Sequence, residues 1–316
     1  MTRGKVTILG INGHIGHHAA KAFVEAGWEA TGFGRADRHP VPGVRFVKGD
    51  AGSVADMRAA IGESEVVVNA LNLPYHQWDK GRMEAQTAKV IEALGASGKT
   101  LLFPGNIYNY SPAHREVTSD LPQEPPTPRG AIRVRVEQML RAAAERGAMQ
   151  VTILRAGDFF GPDNRFDWFD QAILREAGKG RLAMLGTRGF GHSWAYLPDL
   201  GRAFEKLGRH RQEFGRFENF HFAGHYVTPE QMAAAIVAAA PVPLKVSGFP
   251  WIVLTLLGLT NPVMREVAKM GYLWQKPMEL KDSRLDAVLG PDFGTKFEEA
   301  VAATVRTHFK VERLAA

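Results

Sequence analysis

Short apolar runs alternate with longer stretches in which apolar residues recur every three or four positions. Through the first half of the chain this is the pattern of βαβ units feeding a mostly parallel sheet. Val6–Leu9, Glu29–Phe33, Val44–Val47, Val66–Val68, Thr100–Phe103 and Val151–Leu154 predict the strands. Between them, Ile15, Ala19, Phe23 and Ala26 repeat at helical spacing from His14 to Ala26 and stop at Gly27, a suitable C-terminal cap. Ser53 followed by Asp56 predicts the start of a second helix, and Asp79–Leu94 and Ala131–Ala144 read as two more. The proline-rich stretch Ser119–Pro128 reads as an exposed loop. After Gly157 the pattern loosens into short helices and aromatic-rich turns, with late strands near Trp194–Leu197 and Phe217–Phe222. The second of these is expected to return to the main sheet. The most apolar run, Phe249–Leu259, is interrupted by Pro250 and Gly258 and is far shorter than the roughly 20 residues of a membrane-spanning helix, so it predicts a buried element. The expected class is α/β, a doubly wound parallel sheet with a smaller, interleaved C-terminal region.

Between the first strand and the first amphipathic helix stands Gly10-Ile11-Asn12-Gly13-His14-Ile15-Gly16. Gly10 permits a tight turn, Gly13 lets backbone approach a pyrophosphate, and Gly16 lets helix and sheet pack closely, leaving the helix N-terminus aimed at phosphates. Residues 1–156 therefore read as a Rossmann NAD(P)-binding domain with a returning strand near 217–223, and residues 157–316 as mainly substrate-binding. The second strand ends Gly32-Phe33-Gly34-Arg35, with no acid at its tip. A carboxylate there would hold the ribose hydroxyl of NAD, whereas a guanidinium grips a 2′-phosphate by paired charge-assisted hydrogen bonds. NADP is the expected cofactor, with NAD, held through Asp37, as the alternative.

The Gly-x-x-Gly-x-x-Gly spacing resembles that of the extended and atypical short-chain dehydrogenase/reductases, which include the NAD-dependent epimerase/dehydratase-like and NmrA-like NAD(P)-binding proteins. The resemblance extends over nearly the whole length, through Gly49-Asp50-Ala51, Asn69-Ala70, the turn Arg155–Pro162 and the junction Trp194–Leu200. It implies that Asp50 and Ala51 lie near the adenine, Asn69 and Ala70 beside the cofactor, and Ala156 beneath the nicotinamide. The family's usual chemistry relies on a tyrosine four residues before a lysine, with a serine on the preceding strand. Aligned on Glu137, this chain has Arg129 at the tyrosine position and Arg133 at the lysine position. Arginine stays protonated at any working pH, so neither residue can deliver and recover a proton. Arg133 remains a candidate for holding the nicotinamide ribose or polarising a carbonyl, or else a charge on the helix surface. Pro104–Ser111 replaces the serine-bearing segment, which makes Tyr108 and Asn106, beyond a central strand's C-terminal end, the catalytic candidates; packing of Tyr108 beneath the following loop is the alternative. Tyr75, Trp78, Phe160 and Trp194 are candidate substrate contacts, together with Asp158, also an acid/base candidate.

Composition narrows the chemistry further. The chain has no cysteine, which excludes disulfides, thiolate metal sites and a cysteine nucleophile and fits a reducing compartment. Met1 leads through polar positions into the first strand without an export signal, so the cytoplasm is expected. A formal charge of +6 is spread over scattered Lys and Arg residues, so neither nucleic acid nor membrane is an expected partner. His14, His17 and His18 lack the carboxylate company of a metal site. The expected function is an NADP(H)-dependent oxidoreductase reducing a C=O or activated C=C bond of a small apolar or aromatic substrate, with a homodimer left open. The alternatives are a non-catalytic NAD(P)H sensor and a sugar-nucleotide epimerase or dehydratase, whose hydroxyl deprotonation would need the missing tyrosine.

Overall fold

The computed structural model describes residues 3–163 and 167–315. The first half runs β1 (Lys5–Leu9), α1 (His14–Glu25), β2 (Glu29–Gly34), β3 (Val44–Lys48), α2 (Val54–Ile61), β4 (Val66–Asn69), α3 (Arg82–Leu94), β5 (Thr100–Asn106), β6 (Glu116–Thr118), α4 (Pro128–Glu145) and β7 (Gln150–Ala156). There follow β8 (Asp158–Phe160), β9 (Arg181–Met184), β10 (His192–Tyr196), α5 (Leu197–Arg209), β11 (Phe217–His221), β12 (His225–Val227) and α6 (Pro229–Ala239). The chain ends through β13 (Lys245–Gly248), α7 (Trp251–Leu257), α8 (Pro262–Lys269), α9 (Tyr272–Gln275), β14 (Glu279–Lys281), α10 (Ser283–Leu289) and α11 (Phe297–Ala315).

One seven-stranded sheet carries the fold in the order β11-β7-β5-β4-β1-β2-β3, every pairing parallel. Because crossover helices cover both faces, its central strands are largely apolar; Val66, Val67 and Val68 are all fully buried. Helices α1, α5 and α10 cover one face and α2, α3 and α4 the other. The strand order reverses between β1 and β4, so the crevice at their C-terminal ends is the natural ligand site. A second core, with Phe169, Trp194, Ile236 and Trp274 among its members, lies under the small sheet β12-β10-β8 and the pair β13-β9. The two halves interlock: β11 adds to the main sheet beside β7, and β6 pairs with β14.

Several boundaries differ from the sequence expectation for local reasons. Pro128, expected in a loop, opens α4 because the preceding Thr127 hydroxyl caps the Gly130 N–H at 3.3 Å and a proline suits the first helical position. Helix α3 starts at Arg82 rather than Asp79, since Lys80 and Gly81 take left-handed φ values of 60° and 71°. The expectation of a buried element at Phe249–Leu259 is overturned, for Ile252, Leu256 and Leu259 are 74%, 60% and 72% exposed. Only Trp251 and its neighbours touch the core, and the rest of this short turn of helix projects outward.

One buried cation ties the sheet together. Arg155, on β7, is completely buried; it donates to the Glu137 carboxylate of α4 at 2.6 and 3.1 Å, to the Asn106 carbonyl of β5, and to the Asn219 side chain of β11 at 3.2 Å. His221 accepts from Arg155 Nε at 3.3 Å and donates through Nδ1 to the Val117 carbonyl, burial and then the Arg155 charge holding its pKa down to about 3. Glu137→Ala would leave the guanidinium buried without its counter-charge, and urea titration is expected to show a loss of about 3–5 kcal/mol. His221 stays neutral when folded but titrates near 6.5 when unfolded, so it contributes stability above that pH which is lost as pH falls toward 3. The urea midpoint is therefore expected to be lower at pH 5 than at pH 7.5, and the dependence to weaken in His221→Gln.

Candidate functional site

The turn after β1 is built from three glycines with three different constraints. Gly10 has φ +85° and a Cβ there would lie 2.8 Å from the Ala70 carbonyl oxygen, so the turn is pressed against the end of β4. A Cβ on Gly16 would stand 2.3 Å from the Gly10 carbonyl oxygen, which fixes the close seat of α1 on the turn. Gly13 differs: nothing in the protein lies nearer its Cβ position than 3.4 Å. That free space sits at the N-cap of α1, whose first turn has neither a capping side chain nor an acidic residue. Unsatisfied N–H groups and the positive end of the helix dipole thus open onto a cradle that any side chain at position 13 would fill, as a pyrophosphate requires. His14 begins this turn with Nδ1 3.4 Å from Asp167, whereas Ile15 packs inward against the core.

The loop after the second strand is braced by the turn itself. Asn12 donates to the Ala36 carbonyl at 2.7 Å and accepts from the Arg38 N–H at 3.1 Å, so its amide clamps the loop that carries Arg35 and Asp37, both exposed. Asn12 therefore positions the loop after the second strand. Arg38, which stands outside every sequence motif, shares a cleft of about 1000 Å³ with Gly13, His14 and Lys21. Asp50 follows β3, its N–H held by Asp56 at 2.9 Å and its carboxylate accepting the Gly52 N–H at 2.9 Å, with Ala51 beside it. Asn69 ends β4 and accepts the Leu71 N–H at 3.3 Å, directing Ala70 toward Gly10. Gly10, Gly13, Asp50, Asn69 and Ala156 thus all stand at the C-terminal edge of one sheet.

The reaction end contains two arginines where the resemblance implied a tyrosine and a lysine. Arg133 is buried rather than a helix-surface charge; it donates to the Pro104 carbonyl at 2.5 Å and stacks over Phe103 at 4.8 Å. Burial pushes its pKa down to about 10, which leaves it cationic at neutral pH. Arg129, also buried, lies over the Tyr75 ring at 4.3 Å, donates to the Tyr75 carbonyl and faces Glu266 at 3.4 Å. Neither guanidinium is placed to exchange a proton. Asn106 is similarly engaged, its amide oxygen accepting the Tyr108 N–H at 3.1 Å and its carbonyl taking Arg155.

The Tyr108 hydroxyl has no hydrogen-bond partner among the described residues. Burial, and then the nearby Tyr75, Asp158 and Tyr272, raise its pKa well above the ordinary tyrosine value, while Arg133 opposes the rise. The phenol therefore remains a neutral donor. The Tyr75 hydroxyl is buried and has no protein partner among the described residues either. Asp158 completes the cluster: Oδ2 accepts Trp274 Nε1–H at 2.6 Å and lies 3.0 Å from His192 Nε2. The other His192 nitrogen lies 3.0 Å from the Leu273 carbonyl, which only accepts, so Nδ1 carries a hydrogen. The contact between Nε2 and Oδ2 consequently holds one further proton. His192 carried no sequence signal beyond its place before Trp194. Of the expected substrate contacts, Trp78 and Phe160 are core: the Trp78 indole donates to the Leu73 carbonyl at 2.9 Å, and Phe160 is fully enclosed. Trp194 is buried but borders a small, largely apolar cavity with His192, Trp274 and Phe190.

A parallel sheet, a glycine turn with an uncapped helix, and a clamped loop after the second strand define a dinucleotide-binding protein of the Rossmann class. The chain belongs to the NAD-dependent epimerase/dehydratase family, whose model matches residues 6–221. Comparison with curated proteins gives no match. Solved structures of the same fold include MoeE5 in complex with UDP-glucuronic acid and NAD, 18% identical, covering 98% of this chain and 100% of that one with a TM-score of 0.77. UDP-glucose 4-epimerase from Brucella ovis, in complex with NAD, is 16% identical over 97% of this chain and 98% of that one, with a TM-score of 0.74. UDP-glucuronic acid 4-epimerase from Bacillus cereus, with UDP-glucuronic acid and NAD, is 14% identical over 97% and 99%, TM-score 0.74.

The glycines separate binding from folding. Gly13→Ala is expected to keep the melting temperature within a few degrees while weakening dinucleotide affinity by about tenfold or more, read by calorimetry. Gly16→Ala drives a methyl group into backbone and should lower the melting temperature as well.

Proposed function

We propose that this chain is an NADP(H)-dependent reductase acting on a C=O or activated C=C bond of a small apolar or aromatic substrate. The observation that supports this reading is the state of Tyr108: a neutral, unpartnered phenol beside Arg133, with a proton held nearby between His192 and Asp158. The dinucleotide, when bound, supplies the hydride. The residues then have to hold an acceptor oxygen, stabilise the negative charge that grows on it and deliver one proton. Tyr108 and Tyr75 offer hydroxyl donors, and the Arg133 charge favours the developing anion. The proton that Tyr108 gives up is regained from solvent before the next turnover.

The family and the solved relatives favour a second reading, epimerisation or dehydration of a sugar nucleotide with NAD. That chemistry begins by removing a hydroxyl proton. Here the surroundings disfavour a tyrosinate at 108, and arginines stand at positions 129 and 133, so the available proton carriers suit donation better than abstraction. For the cofactor, Arg35 and Arg38 supply cations around the loop clamped by Asn12, which supports NADP, while Asp37 on the same loop is the route to NAD.

Calorimetry should find NADPH bound more tightly than NADH, and Arg35→Ala should reduce that preference about ten- to a hundredfold, since a charge-assisted contact contributes roughly 1.5 to 3 kcal/mol. Equal affinities in the parent protein would count against NADP. With aromatic aldehydes, ketones and enones as substrates, Tyr108→Phe should slow NADPH oxidation without weakening cofactor binding. A drop of about a hundredfold or more marks a proton donor and about tenfold an orienting hydrogen bond. Turnover of a UDP-sugar with none of the carbonyl panel consumed would establish the second reading instead, and tight binding with no turnover at all would point to a sensor.

A further inference from the structure

The large apolar side chains that the fold leaves exposed are concentrated in one place. Val246 at the end of β13, Ile252, Val253, Leu256 and Leu257 on α7, and Leu259 just beyond it project outward together, Ile252 by 74% and Leu259 by 72%. No carboxylate occurs between Glu230 and Glu266. The strand that leads into α7 brings cations instead: Lys245 stands opposite Arg181 in the β13-β9 register, and Lys179 and Arg181 are 68% and 62% exposed. Arg188, close in sequence to the exposed Phe190, is 81% exposed. Together with Arg265 and Lys269 these cations outnumber the carboxylates in the same region, Glu176, Glu230 and Glu266.

The turn is firmly built. Arg265 of α8 donates to the Gly258 carbonyl at 2.9 Å and to the Leu259 carbonyl at 3.2 Å, locking α7 and α8 into a hairpin. Its root is aromatic: Phe249 stacks on Trp251 at 4.9 Å, and Trp251 on Trp274 at 5.5 Å. Trp274 is the residue that donates to Asp158. Glu266 of α8 faces Arg129. The apolar hairpin therefore grows directly from the wall of the candidate site.

We propose that this hairpin is a membrane-surface anchor, inserting Ile252, Val253, Leu256, Leu257 and Leu259 among acyl chains while the cations beside β13 and β9 meet anionic headgroups. The charge pattern decides between a lipid surface and a second copy. An isologous dimer on this patch would set the same cationic rim against itself, which costs affinity, whereas an anionic bilayer complements it. Shallow burial of a short apolar element needs no spanning helix, and none of the described helices is long and apolar enough to cross a membrane. The inference goes beyond the reductase reading and does not depend on it.

The test is vesicle flotation of the full chain with phosphatidylcholine vesicles, alone or containing about one quarter phosphatidylglycerol. The protein should float with the anionic vesicles and be largely released by about 0.5 M salt. Ile252→Asp combined with Leu256→Asp should reduce the bound fraction by more than about tenfold. The melting temperature should not change, because both side chains are exposed. Lys245→Glu should weaken binding by about fivefold or more through charge alone. Failure of the parent protein to float with anionic vesicles would overturn the proposal, as would undiminished flotation of the double variant. A dimer seen by light scattering and broken by the double variant, without vesicle binding, would assign the patch to a second copy and overturn it as well.

Discussion

The geometry of the candidate site depends on one buried ion pair. A guanidinium with no solvent exposure must have its donors met, and Arg155 meets them by drawing β5, β7, β11 and α4 to a single point. Glu137 thereby fixes the rotation of α4 about its axis. Arg133 and Arg129, four and eight residues earlier, then fall on the same face and reach the Pro104 and Tyr75 carbonyls. On the other side, Arg155 holds the Asn106 carbonyl while the Asn106 amide caps the turn that presents Tyr108. A stabilising contact in the sheet is in this way the same contact that sets the reaction end of the crevice.

The consequence for chemistry is a division of labour unlike the tyrosine and lysine pair. Both arginines direct their hydrogen bonds to backbone carbonyls, so they act as fixed charges and as clamps on the chain rather than as proton carriers. Arg133 still opposes the rise that burial imposes on Tyr108, but does not reverse it. A neutral hydroxyl that is also unpartnered is suited to meet an acceptor, and Asp158 lies close enough for its charge to raise the Tyr108 pKa.

Much of this was legible in the sequence where physics is local. The alternation of apolar runs, the glycine turn and the Ser53 cap each follow from short-range patterns, and strands β1, β2, β4 and α1 lie within a residue or two of their expected limits. The sequence places Asn12 in the glycine turn, but its clamp on Ala36 and Arg38 was not legible, because that depends on how the loop after β2 folds back. His192 and Trp274 were illegible for a stronger reason: they are more than thirty and more than a hundred residues from Asp158 in sequence and meet it only through the second core. Trp78 and Phe160 show the converse error, since an aromatic residue near a strand end has the same local signature whether it faces a cavity or fills the core. The run Phe249–Leu259 was misplaced because composition reports how apolar a segment is and not what covers it.

The polar groups that converge on the reaction end also bear on what can be held there. Tyr108, Tyr75 and the His192 and Asp158 pair offer hydroxyls and one proton, and His192 also borders a cavity of about 10 Å³, room for little more than one water, walled by Trp194, Trp274 and Phe190. A nucleotide diphosphate would need cations whose donors are still free. At the reaction end the Arg129 and Arg133 guanidinium groups donate to the Tyr75 and Pro104 carbonyls, with their buried Nε atoms left without a hydrogen-bond partner. Releasing either of them for a phosphate would leave a carbonyl to be resolvated, a cost that offsets much of the attraction to the phosphate. A single acceptor oxygen on an apolar body asks for no such exchange, which is the physical argument behind the proposed carbonyl substrate, although the fold is shared with proteins solved with nucleotide sugars.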